Sequence, residues 1–272
     1  MKSMKRILGN ATGTSLVEIL IALALTGIIT GAVLGLYYRQ HSNYMIQDDV
    51  TNVQQSARAS IDELTRQIRL AGYDLPNGVP ALVASNTNPD TITLHYSVNG
   101  CETYLSDPMP QPSAELKCGS DVSCFKDGQW AYIFHPDSGG GEWFEITHAQ
   151  TGANHIQHNT MSLSKAYAAD AILIGLSQVK FFIDNSDADH PNLMLEIPGK
   201  GAQVYAENIS DLQFRYRLQN GSIVNVPPLI DDVVEVLISV TGRSAQPDYE
   251  MAEPDYRYRT YSSSVSLRNV GL

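Results

Sequence analysis

The sequence predicts an α+β protein in which a long N-terminal helical spine packs on a C-terminal, mainly antiparallel β domain. Three observations predict it. An uncharged run of 20 residues, Ile19 to Tyr38, lies behind a short basic segment. A stripe of apolar residues at helical spacing follows with no breaker between. Beyond Pro76 the apolar period falls to two, the signature of strands.

The run Ile19–Tyr38 would rise about 30 Å as a helix, enough to cross a bilayer's hydrocarbon core. It is too long for the apolar core of a secretory signal peptide, and Gly27, Gly31 and Gly35 sit inside it rather than at a small-residue cleavage site. An ordinary single-pass anchor would account for the span. Next come Val50, Val53, Ala57, Ile61, Leu64, Ile68 and Ala71, spaced by threes and fours. Arg58, Asp62, Arg66 and Arg69 fall off that stripe, and Asp62 and Arg66 have the spacing of a favourable i,i+4 pair. No proline precedes Pro76, and Gly72 stands where a glycine stop belongs. One helix from about Ser15 to Ala71 is expected, with residues 14–38 as the apolar half and 39–72 as the amphipathic half.

Residues 73–272 read as the β-rich domain. Strands are expected at Thr91–Val98, Trp130–Phe134, Glu142–Thr147, Ala171–Leu176, Val179–Ile183, Leu193–Ile197, Leu212–Leu218, Val233–Thr241 and Tyr258–Leu267. His135 to Gly141 reads as the turn of a hairpin. A short helical turn is expected near Ala202–Ile209. The segment 101–124, with Pro108, Pro110 and Pro112, reads as an inserted loop. Its cysteines Cys101, Cys118 and Cys124 are the only three in the chain. An odd count permits one intramolecular disulfide and one leftover thiol, with three pairings open. There is no C-x2-C pair to suggest zinc.

Net charge is −11, which argues against nucleic acid and against anionic lipid as partners of the soluble part. Lys2, Lys5 and Arg6 precede the apolar run, and Arg39 alone follows it closely. That asymmetry predicts a cytoplasmic N-terminus with everything beyond Arg39 outside the cytoplasm. Metal and catalytic signals are weak. Asp184, Asp187 and Asp189 alternate oxygens in the manner of a calcium loop, but the turn glycine and the bidentate glutamate are missing. A polar turn is the simpler reading, as a surface hairpin is for His148, His155 and His158. Asp231 and Asp232 are expected in a turn and Ser262–Ser264 in a strand. With no P-loop, no G-x-G-x-x-G and no G-x-S-x-G, neither a cofactor nor an enzymatic activity is expected.

The junction Gly13-Thr14-Ser15-Leu16-Val17-Glu18 resembles the class III signal of type IV prepilins, and it accounts for what a plain anchor does not: an acid at the mouth of an apolar run. Ile68 to Asp74, Ile209 to Tyr216 with Asn220-Gly221, and Tyr261 to Asn269 are similar to segments of PilW-type minor pilins. The resemblance implies a pilin-like fold and a leader, residues 1–13, that a prepilin peptidase removes by cutting between Gly13 and Thr14. Thr14 would then be N-methylated, and Glu18 would be the fifth mature residue, pairing with the α-amino group of a neighbouring subunit to set axial register. The loss of three basic residues would leave the mature chain at −14. It further implies an inner-membrane protein with a periplasmic C-terminal domain that later joins the pilus at the cell surface. Implied partners are major and minor pilins through the N-terminal helix, the peptidase and the inner-membrane assembly platform. Implied roles are pilus assembly and priming, and thereby adhesion and twitching motility. J-type minor pseudopilins of type II secretion share this plan and are the alternative.

Overall fold

The computed structural model describes residues 15–75, 79–138, 140–198, 200–248, 251 and 255–269. One helix, α1 (Leu16–Leu70), spans 55 residues, within one residue of the expected limits at each end. Residues up to Asp49 form one compact unit, and Val50 onward form a second.

The second unit is built on the amphipathic half of α1. Val53, Ala57, Ile61, Leu64, Ile68 and Ala71 are buried as the stripe requires, and Val50 is half-buried. Gly72 ends the helix at φ +82°, a conformation that costs a side chain strain. Its N–H donates to the His95 carbonyl at 2.9 Å, which ties the helix stop to the first sheet.

Among the described residues fourteen strands follow: β1 (Leu82–Ser85), β2 (Thr91–Tyr104), β3 (Leu116–Lys117), β4 (Trp130–His135), β5 (Gly140–Glu145), β6 (His148–Gln150), β7 (His155–Gln157), β8 (Ile172–Asp184), β9 (Asn192–Ile197), β10 (Gly201–Glu207), β11 (Ile209–Leu218), β12 (Ile223–Val224), β13 (Val233–Arg243) and β14 (Tyr258–Ser266). A seven-stranded sheet runs β1-β2-β8-β4-β5, with β9 paired to β8 and β10 to β9. A four-stranded sheet runs β12-β11-β13-β14, and a small one runs β3-β7-β6. Every pairing is antiparallel.

Three expectations change. The segments at Ala171–Leu176 and Val179–Ile183 are one 13-residue strand, β8. Ser177 and Gln178 do not break it because β2 supplies continuous partners, Leu176 opposite Ser97 and Val179 opposite Leu94. The helical turn expected near Ala202–Ile209 is strand β10, which folds back on β9 with Ala202 opposite Glu196. Ladder hydrogen bonds outweigh a weak local preference there. Third, the 101–124 segment is not loop throughout: Cys101 lies within β2, and Leu116–Lys117 form β3 against β7.

The main core gathers Ala57, Leu64 and Ile68 of α1 with Ile92, Leu94 and Phe181 of the large sheet and Phe214, Val236 and Ile238 of the four-stranded sheet. A second core, containing Leu105, Phe125, Ile133, Phe144 and Leu173, underlies the cysteine-bearing segment. A small third cluster, Phe134, Ile174 and Leu176, lies on the other face of the large sheet. Strand β8 therefore contributes to all three. Asp90 joins the two larger sheets: its N–H donates to the Leu212 carbonyl at 2.8 Å, and its Oδ2 accepts the Phe214 N–H at 2.7 Å.

Candidate functional site: the apolar half of the helix

Leu16 to Tyr38 carries its apolar side chains into open surroundings. Leu16 is 74% exposed, Ile28 70% and Leu36 58%, and no residue of the most apolar 18-residue stretch is buried. The helix is long and apolar enough to cross a membrane by length and composition. Thr26, a polar residue inside the run, returns its hydroxyl to the Ala22 carbonyl at 2.7 Å. That bond would spare it the cost of an unpaired hydroxyl were the run placed in hydrocarbon.

The start of the helix has a construction that the sequence reading passed over. Ser15 Oγ accepts the Val17 N–H at 3.3 Å, and Glu18 Oε2 accepts the Ser15 N–H at 2.9 Å. This is a variant of the capping box, with the hydroxyl on the Val17 rather than the Glu18 N–H, and it is legible as S-x-x-E at residues 15–18. Glu18 thus has a local role in opening the helix, and it is exposed. Gly13 and Thr14, the expected cleavage and methylation positions, lie outside the described residues.

At the other end of the run Tyr37, Tyr38 and Tyr44 are 58%, 67% and 65% exposed. Tyr37 stacks on His41 with ring centroids 6.0 Å apart. Tyrosines beside Arg39 make the amphipathic belt that suits a lipid–water interface. That signal was available in the sequence and went unread. Gly27, Gly31 and Gly35 recur every fourth residue on one face, and a side-chain carbon at any of them would meet no atom within 4 Å.

In the globular unit, Cys101 and Cys124 form the disulfide with Cα atoms 5.7 Å apart. Cys118 is the free thiol and is buried, which pushes its pKa up to about 11. The aspartates of the calcium-like segment close local turns instead of converging. Asp184 Oδ1 accepts the Ser186 N–H and Asp187 Oδ1 the Asp189 N–H, both at 2.9 Å, while Asp189 Oδ1 accepts the Tyr256 hydroxyl at 3.1 Å. The histidines part company too. His148 meets Asp127 at 3.0 Å, His155 meets Glu115 at 3.3 Å, and buried His158 sits between the Met161 and Ala114 carbonyls. Among the described residues no three His, Cys, Asp or Glu side chains gather to hold a metal ion.

Comparisons with family models, curated proteins and solved structures returned no match.

Proposed function

We propose that this chain is a minor pilin of a type IV pilus, PilW-like, whose work is assembly and priming of the filament rather than catalysis. Adhesion and twitching motility depend on it through the pilus. The observation that carries the reading is a single unbroken helix whose first half is exposed and apolar all round and whose second half is buried along one stripe. Such a helix needs hydrocarbon or other helices around its first half and needs only its own sheets around its second.

Moving that half from lipid into a helix bundle gains little hydrophobic free energy, because lipid tails are as apolar as leucine. Close packing and polar pairing must drive it. The glycine face at residues 27, 31 and 35 admits a neighbouring backbone. Glu18 adds a second drive: a carboxylate in hydrocarbon is costly, up to about 2.5–3.5 kcal/mol at a helix centre and less toward its mouth, and a partner's α-amino group relieves it. In this reading the peptidase cuts after Gly13, Thr14 becomes the methylated N-terminus, and the globular unit is periplasmic before it reaches the cell surface.

Intact-mass spectrometry of the membrane and sheared-pilus fractions tests the proposal. The expected species lacks residues 1–13 and carries one methyl group on Thr14. An uncut N-terminus, or absence from pili, overturns it.

A further inference from the structure

We propose that an open groove on the large sheet, between the Lys126–Trp130 segment and the residues Pro198 and Lys200, binds an acidic saccharide. The proposal stands apart from the membrane and pilus reading, since every residue involved belongs to the globular unit. The groove measures about 450 Å³, within the range of small-molecule sites. Trp130 and Trp143, the two tryptophans of the chain, both line it.

The two rings are held differently. Trp143 is locked between His95, stacked at 6.0 Å and 20°, and Tyr132 at 5.0 Å. Trp130 is half-buried and has no ring partner among the described residues. One indole is therefore a fixed wall and the other an available platform. A flat apolar platform suits the C–H face of a pyranose ring, an amphipathic surface like the indole itself.

The polar groups suit the rest of such a ligand. His95 Nδ1 lies 2.7 Å from the Pro80 carbonyl, and Nε2 holds the Gln178 amide at 3.1 Å. Gln129 Oε1 accepts the Lys126 N–H at 3.0 Å, and its Nε2 lies over Gly175, where a side-chain carbon would come within 2.7 Å. Both amides are thus positioned in advance, and an amide can donate to and accept from sugar hydroxyls.

Charge selects the acidic class. Asp127 is already committed: Oδ1 accepts the Ala149 N–H at 2.8 Å and Oδ2 meets His148 at 3.0 Å. Lys126 donates to the Ser123 carbonyl at 3.1 Å and keeps further donors, while the Lys200 backbone N–H bonds the Ile197 carbonyl at 3.0 Å and its ammonium has no protein partner among the described residues. The uncommitted charge in the groove is therefore cationic, on a chain whose net charge is −11. A ligand with one carboxylate per ring satisfies both lysines, whereas a dense polyanion is repelled by the protein as a whole.

The two tryptophans make the groove its own reporter. Full-length protein in a non-glycosidic zwitterionic detergent is titrated with oligogalacturonate and, in parallel, with neutral maltose oligomers, oligo-aspartate and oligodeoxythymidylate. Tryptophan emission and calorimetry are read together. Saturable binding of oligogalacturonate is expected, tighter than that of the neutral oligomers. Trp130→Ala and Lys200→Glu should each weaken it roughly tenfold with circular dichroism unchanged, and Gly175→Ala should weaken it by displacing Gln129. No saturable change, equal binding of the neutral oligomers, or full affinity in Trp130→Ala overturns the proposal. So does equal or tighter binding of oligo-aspartate or oligodeoxythymidylate, which would make the site one for peptide or nucleic acid.

Discussion

Leu64→Ala should be among the most damaging single truncations in the globular unit. Leu64 is 0% exposed and belongs to the core cluster that α1 shares with the large sheet and the four-stranded sheet. Its full transfer free energy is therefore at stake, and the strands that share its cluster are held by ladder hydrogen bonds and cannot easily close in on the cavity. Leucine-to-alanine changes in cores cost about 2–5 kcal/mol, with the upper half expected where collapse is blocked. Taking about 3–4 kcal/mol, and roughly 2–4 °C per kcal/mol for a unit of this size, the melting temperature should fall by about 6–16 °C. Leu70, six residues on, is 36% exposed and outside the core cluster, so Leu70→Ala should cost under about 1 kcal/mol. The assay is thermal unfolding of the full-length proteins in one detergent, followed by near-ultraviolet circular dichroism. If Leu64→Ala melts within about 1 °C of the parent, or no lower than Leu70→Ala, the amphipathic half is not part of the cooperative core and the reasoning fails.

Gly72→Ala should destabilise by more than about 1 kcal/mol, because φ is +82° and the new carbon would sit 2.5 Å from the Asn269 carbonyl oxygen; a melt equal to the parent's would contradict this. Native protein should react slowly with a thiol reagent at pH 8 and yield one thiol per chain after unfolding without reductant, since burial holds Cys118 near 11. Prompt labelling of the folded protein, or three thiols, would refute that, and opening the 23-residue Cys101–Cys124 separation should cost about 3 kcal/mol. Glu18→Gln preserves the capping box but removes the charge, whereas Glu18→Ala removes both. On the proposed function both should deplete the protein from sheared pili, and full incorporation of the glutamine variant would leave Glu18 a capping role alone. Burial raises the Asp90 carboxyl above its ordinary 3.8, with the Phe214 N–H opposing and Asp211 assisting. The folded state then binds the proton more tightly than the unfolded one, so this group makes stability fall as pH rises from 3.8 through its native value. Asp90→Asn should flatten that slope in denaturant titrations, and an unchanged slope would show that Asp90 is not its source.

The sequence by itself determined the helix and its two characters. A 20-residue uncharged run and a three-four stripe are periodic signals that stay strong over many turns, so both ends of α1 were legible to within a residue. It also determined that one thiol must be left over, because three cysteines cannot pair completely. It held the capping box at Ser15–Glu18 and the tyrosine belt in plain view, as local patterns whose meaning needs no tertiary contact. Tertiary structure alone decided the rest. Which cysteine stays free depends on which two α-carbons come within bridging distance, and spacing along the chain does not encode that. The merger of two segments into β8 and the extension of β10 depend on partner strands that supply ladders from outside. The last turn of α1 is satisfied from 200 residues away, where Asn269 Nδ2 donates to the Arg69 carbonyl at 3.2 Å. The groove unites Trp130, Trp143, Gln178 and Lys200, which share no local motif. Periodicity records which face of an element is buried. It carries no information on which distant residue meets that face, because those contacts form only when all the elements pack at once.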